Sequence, residues 1–285
     1  MSALDSAQER LRLALRALEH AEAAGRLLAG YAERLGRLES RSKSAPRDLV
    51  TEADLDSERF LIGRLRSDFP EHAIEAEESA PDPDQAGGLR WFIDPLDGTV
   101  NLVHGLPFFC VSMGLYRGAT PLCAALCAPL LGESFYAAAG AGAYLKRPGS
   151  EPRRLRVSGA SSLSECVLAT GFPYRRNELP NNNLGNFARL FYEVRGMRRM
   201  GSAALDLAYV AAGRLDAFWE LHLAPHDVAG GALLVLEAGG VVSDLEGGGD
   251  WLRGGQIAAG PAALTAQIRS RVSARPERLQ GGPRP

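Results

Sequence analysis

Near the start of the chain apolar residues recur every three or four positions: Leu4, Ala7, Leu11, Ala14, Leu15, Leu18 and Ala21, with Glu and Arg between them. That spacing predicts an amphipathic helix. The pattern continues through Leu27, Leu28, Tyr31, Leu35 and Leu38, but Gly25, Gly30 and Gly36 interrupt it, and the helix is expected to break among them. A second helical pattern, Leu49, Ala53, Leu61, Leu65 and Phe69, follows Asp48, which is well placed as its N-cap. The period then changes. Short apolar runs at 73–76, 89–93, 108–116, 121–128, 134–138 and 144–147, separated by Gly and Pro, predict strands, the later ones consecutive and antiparallel. Between the first two runs, the proline-acidic stretch 80–86 and Gly87-Gly88 read as a connecting loop fit for a mobile flap.

Beyond residue 150 strands and helices alternate: strand 166–170, helix 184–192, strand 197–200, helix 203–212 and strand 215–220. An apolar helix carrying Leu233, Leu234 and Leu236, strands near 241–243 and 257–259 and a helix over 262–272 complete the pattern. Alternation of this kind predicts a layered α/β protein. Its expected division is an N-terminal α+β half, 1–150, a C-terminal α/β half, 151–272, and a disordered tail, 273–285, rich in Pro, Gly and Arg.

Composition narrows the partners. With 285 residues and a net charge of -2 the chain can bury a sizeable core and carries no electrostatic footprint for nucleic acid or a membrane surface. Small molecules are the expected ligands. No uncharged run approaches the roughly 20 residues of a membrane span, and the first residues lack a signal-peptide layout, so a cytoplasmic location is expected. Cys110, Cys123, Cys127 and Cys166 form no C-x-x-C pair and read as buried free thiols.

The stretch 91–109 carries the chemistry. An apolar run ends in Asp94-Pro95-Leu96-Asp97-Gly98-Thr99, two carboxylates three positions apart with Pro95 between them. Read as a charged turn after a strand, it converges like charges that repel unless a cation or a proton intervenes. Asp94, Asp97 and the Leu96 carbonyl are hard oxygen donors, which suit Mg²⁺ or Mn²⁺ rather than zinc. Gly98 and Thr99 open a helix or tight loop whose free N–H groups can hold phosphate. The same composition also suits an ordinary surface turn. Elsewhere Glu77-Glu78 fits a solvated surface, Ser202 in Gly201-Ser202-Ala203 a helix cap, and Asp227 the N-cap of the helix after it.

The longer string, Asp94, Pro95, Asp97, Gly98, Thr99, Asn101, His104 and Pro107, resembles the signature of the inositol monophosphatase family. Asp48-Leu49-Val50-Thr51 with Asp54, the segment at Glu77-Glu78, and the stretch around Asp227 resemble three further family elements, in the family's order. The resemblance implies an αβαβα sandwich and a phosphatase using two or three Mg²⁺ ions, often lithium-sensitive. It implies metal ligation by Glu77, Asp94, Leu96, Asp97 and Asp227, and catalytic roles for Glu77, Thr99 and Asp48. Substrate contacts are implied for Gly98, Thr99, Gly201, Ser202, Ala203, Glu220 and Asp227, and a homodimer is expected. Two departures stand out: Ala76 replaces a usual glycine, and His226 replaces the tryptophan that usually precedes the last aspartate. His104 is expected to be structural. The substrate implied first is inositol monophosphate or a similar polyol phosphate. Histidinol phosphate, fructose 1,6-bisphosphate and a nucleotide 3′-phosphate follow, with Arg175, Arg176, Arg198 and Arg199 able to face a second phosphate. A partner in an RNA or protein assembly that merely keeps the fold is the non-enzymatic alternative.

Overall fold

The computed structural model describes residues 6–34, 40–43, 49–85 and 88–275. The chain opens with α1 (Ala7–Ala32), capped by Ser6, whose side chain accepts the Glu9 N–H. It runs unbroken through Gly25 and Gly30 and ends at Ala32, between Gly30 and Gly36, within the expected range. Gly25 is there for packing: a Cβ at that position would come within 2.7 Å of Cys127 Sγ on the sheet below. A hairpin of β1 (Ser40–Ser42) and β2 (Leu49–Thr51) leads into α2 (Glu52–Asp68). The N-cap of α2 is Thr51 and not Asp48, because residues 49–51 are extended and the Thr51 hydroxyl accepts the Ala53 N–H at 3.1 Å.

The first sheet holds seven strands in chain order: β3 (Ala73–Ala76), β4 (Leu89–Asp97), β5 (Cys110–Arg117), β6 (Thr120–Ala128), β7 (Glu133–Ala138), β8 (Gly142–Lys146) and β9 (Arg153–Arg154). Only β3 and β4 pair in parallel; the rest form an antiparallel meander. The loop before β4 is pinned, since the Asp82 N–H donates to the Ile74 carbonyl and the Asp82 carboxylate accepts from the Ile74 N–H and Arg66. The part of the expected flap at 86–87 lies outside the described residues. Between β4 and β5 comes the short helix α3 (Thr99–Val103), and exposed His104 is its C-cap.

The second sheet has the order β11 (Gly196–Arg198), β10 (Val167–Thr170), β12 (Ala217–Leu221), β14 (Gln256–Gly260) and β13 (Val241–Ser243). The first three strands are parallel and β14 and β13 antiparallel. Its helices are α4 (Leu184–Phe191), α5 (Ala203–Ala211), α6 (Pro225–Glu237) and α7 (Ala262–Arg269).

Strand alternation sets the layering. On β5 and β6, Val111, Met113, Leu115, Cys123 and Ala125 face the α1/α2 side, while Tyr116, Ala124, Leu126 and Ala128 face α5 and α6. A sheet covered on both faces needs apolar residues at every position, which is why these strands read as continuous runs. The same α5 and α6 then pack against the second sheet, whose far face, with Leu168 and Trp219, is closed by Leu190 of α4 and Leu264 and Ile268 of α7. The result is five layers, helix, sheet, helix, sheet, helix, as the resemblance implied. All four cysteines are buried and free. No described helix is long and apolar enough to cross a membrane.

Candidate active site

Asp94 and Asp97 lie within β4 and not in a turn beyond it. Pairing with β5 slips between them: Asp94 faces Ser112 and Asp97 faces Cys110, so three steps on one strand oppose two on the other. Pro95 has no N–H to give the ladder, and a bulge is where a strand tolerates it. In a regular strand residues three apart point to opposite faces. The extra residue resets that parity, and the two buried carboxyls influence each other's charge. Gly98 then turns the chain into α3 with φ 105°, where an added Cβ would meet the Phe109 Cβ at 3.0 Å.

The start of α2 joins this turn from outside. Asp54 is fully buried; its Oδ2 accepts from both the N–H and the hydroxyl of Thr51 at 2.7 Å. The Thr99 hydroxyl donates to Asp54 Oδ1, also at 2.7 Å, and lies 3.2 Å from the Leu96 carbonyl oxygen. Asp54 was not singled out from sequence. Its signal was the Thr51-x-x-Asp54 capping box, and the motif's second aspartate lies beside Thr99, whereas Asp48 lies outside the described residues.

Two further elements supply carboxylates. Ser202, the N-cap of α5, donates to Asp97 Oδ2 at 2.7 Å, as does the Ala204 N–H, so that helix start is docked onto β4. Asp227 is the third residue of α6 and not its N-cap: the helix begins at Pro225, and Asp227 Oδ2 accepts the Ala224 N–H at 2.6 Å. His226 stands beside it, Nε2 3.8 Å from Asp227 Oδ1. Glu77 follows β3, where Ala76 keeps an ordinary negative φ, and its Oε1 takes the Lys43 ammonium at 2.8 Å. Lys43, which also donates to Glu78, is a cation that the sequence did not single out.

Burial first, then the charges of Glu77, Asp97 and Asp227, raise Asp94 well above the usual carboxylate range. Burial and Asp227 push Asp97 up to about 7, against hydrogen bonds from Ser202 and Ala204. Asp227 is raised by burial, with His226 opposing. Asp94 and Asp97 of β4 and Asp227 of α6 therefore share one space and resist ionising together, with the Glu77 carboxylate close by. Among the described residues no three acidic, histidine or cysteine side chains close to the spacing of a formed metal cage. The donors nevertheless fit a hard divalent cation: they are oxygens without sulfur, and Asp94, Asp97 and Asp227 each commit one oxygen to a local donor.

Beside this group opens a cavity of about 230 Å³ lined by Asp97, Asp227, Gly201, Ser202, Ala203 and Glu220, with Arg175 and Arg199 also on its wall. Arg176 and Arg198 do not line it. Glu220 lies on β12, and burial pushes its carboxyl up to about 8. It fits only because residue 171 is glycine: a Cβ there would sit 2.0 Å from Glu220 Oε1.

A five-layered sandwich with an acidic group at the head of β4 and a polar cavity beside it defines a class of phosphatase-fold proteins. The chain belongs to the inositol monophosphatase family, whose profile matches residues 10–277. It is 45% identical over 258 residues to the Nus factor SuhB of Pseudomonas aeruginosa, covering 89% of this chain and 92% of that one. Among solved structures, extragenic suppressor protein suhB from Bartonella henselae superposes with a TM-score of 0.84 at 37% identity, covering 91% of this chain and 98% of that one. Inositol monophosphatase from Anabaena (Nostoc) gives 0.81 at 38% identity, with 92% and 95% covered. Members of this family are typically metal-dependent.

Proposed function

We propose that the chain hydrolyses a small phosphate monoester, first of all inositol monophosphate, with Mg²⁺ and with Mn²⁺ as a substitute. The observation that carries this reading is the Thr99–Asp54 hydrogen bond set against three mutually repelling carboxylates at the edge of a polar cavity. Glu77, Asp94, the Leu96 carbonyl, Asp97 and Asp227 would hold the ions. When bound, they supply charge neutralisation at the phosphate and a water of lowered pKa.

The remaining chemistry belongs to side chains. A Thr99 hydroxyl whose proton is committed to Asp54 can only accept from a water, so it turns that water's lone pair toward the cavity. Buried Asp54 is raised by that burial, which leaves it a competent receiver of a proton passed through Thr99. Glu77 is the second candidate base. The Gly98 and Thr99 N–H groups orient phosphoryl oxygens, and Gly201, Ser202, Ala203 and Glu220 position the alcohol.

Release of inorganic phosphate from inositol 1-phosphate, histidinol phosphate, fructose 1,6-bisphosphate and a nucleotide 3′-phosphate, with Mg²⁺ and with chelator, tests the reading. Metal-dependent turnover that is fastest on inositol 1-phosphate is expected. No turnover on any ester would overturn it. A second reading draws on the name Nus factor borne by a relative: a binding partner in an RNA or protein assembly. Assembly binding that survives Asp94→Asn, in a wild-type protein without turnover, would favour that one.

A further inference from the structure

The chain between β10 and α4, residues 171–183, walls the cavity on one side: Phe172, Pro173, Tyr174, Arg175 and Leu179 all line it. A loop of this length that returns to its own start is an Ω-loop, and its two ends need a tie. Asn183 supplies it. The residue is fully buried, and its amide uses every hydrogen bond it has. Nδ2 donates to the Gly171 carbonyl at 2.7 Å and to Thr170 Oγ1 at 2.8 Å. Oδ1 accepts the Trp219 indole N–H at 2.9 Å and Asn186 Nδ2 at 3.0 Å. One side chain thus joins the loop's two ends to each other and to β12, next to Glu220. The backbone is strained to allow this. Asn183 (φ 73°) and His222 (φ 64°) are the non-glycine residues with positive φ among the described residues. Both belong to one network, since His222, on the cavity wall, donates from Nε2 to the Asn181 carbonyl at 2.7 Å.

The network continues past the loop. Asn186 of α4 donates to the Ser273 carbonyl at 3.0 Å and accepts the Ser273 N–H at 2.9 Å. Asn181 donates to the carbonyls of Ser273, at 2.7 Å, and Arg275, at 2.9 Å. Residues 273–275, expected from sequence to begin a disordered tail, are therefore bonded to the cavity wall. Buried networks whose donors and acceptors are satisfied rigidify what they connect. We propose that Asn183 and Asn186 are positioning residues, and that segment 273–275 is the strap through which they hold the 171–183 loop as a fixed wall of the cavity. A loop released from the strap has to be ordered by the ligand itself, which weakens binding and leaves the groups on β4 and α2 in place. The consequence for turnover rests on the phosphatase reading; the strap does not.

Hydrogen exchange of peptides covering 171–183, with those of β5 and β6 as internal control, tests the strap in wild type, Asn183→Asp, Asn186→Ala and chains ending at Val272 or at Arg275. KM and kcat for inositol 1-phosphate in Mg²⁺ are measured on the same proteins. Asn183→Asp keeps the shape of the side chain and removes its two donors. Ending the chain at Val272, like Asn186→Ala, is expected to speed loop exchange about 10-fold with the control peptides unchanged. KM should rise about 10-fold with kcat within about threefold of wild type. Asn183→Asp should change in the same direction, and the chain ending at Arg275 should match wild type. Loop exchange that stays at the wild-type rate, rises in parallel with the control peptides, or rises as much in the chain ending at Arg275 overturns the strap. A looser loop with unchanged KM overturns the positioning role and leaves the phosphatase reading standing. A wild type that cleaves no ester overturns the phosphatase reading, and loop exchange still decides the strap.

Discussion

At the residue scale, the Thr99–Asp54 pair should separate catalysis from folding. Thr99→Ala removes the hydroxyl that donates to Asp54 Oδ1 from the α3 turn, and a roughly 100-fold drop in kcat is expected with KM little changed. Steady-state kinetics with far-UV circular dichroism on Thr99→Ala and Asp54→Asn checks it. His72 gives a pH prediction away from the site. Its Nδ1 accepts the Trp91 indole N–H at 3.0 Å, its ring stacks on Phe69 with centroids 5.2 Å apart, and burial lowers its pKa below 6.5. The unfolded chain therefore takes up that proton first as pH falls. The stability due to neutral His72 is present above pH 6.5 and lost progressively below it. Between pH 7.5 and 5.5 the urea midpoint should fall further for wild type than for His72→Phe.

At the element scale, α6 lies so close to β5 that the sheet needs a glycine there. A Cβ on Gly114 would come within 2.9 Å of the Ala229 backbone, which cannot rotate away. Gly114→Ala is expected to cost about 1–3 kcal/mol by overpacking. Gly63 in α2 is the contrast, with nothing within 4 Å of an added Cβ. Gly63→Ala should stabilise by up to about 1 kcal/mol without touching activity. Chemical denaturation of the two variants measures both signs.

For the whole molecule, Asp94, Asp97 and Asp227 repel one another, and the Lys43 ammonium on Glu77 offsets only part of that charge. Binding a cation to the folded state alone adds about 2.7 kcal/mol at 100 times its dissociation constant, a rise in Tm of roughly 5 °C. Wild type should show that rise on adding Mg²⁺ and lose it with chelator. Asp94→Asn should melt at or above wild type without metal and respond less to Mg²⁺. A wild-type melting temperature indifferent to Mg²⁺ would argue against ion binding at these residues.

The sequence by itself determined the periodicities, and through them the layers: a helical stripe at 7–32, continuous apolar runs for a sheet covered on both faces, and alternation after residue 150. It also displayed the acidic motifs, because such strings are local. Tertiary structure decided what depends on register and contact. It placed Asp94 and Asp97 inside β4 across a bulge, moved the α2 cap from Asp48 to Thr51, and made Asp227 the third residue of its helix. It also brought Asp54 to Thr99, 45 positions away. The physical reason is that periodicity reports which face a residue shares. Hydrogen bonds and unpaired charges between distant segments exist only once the layers have closed.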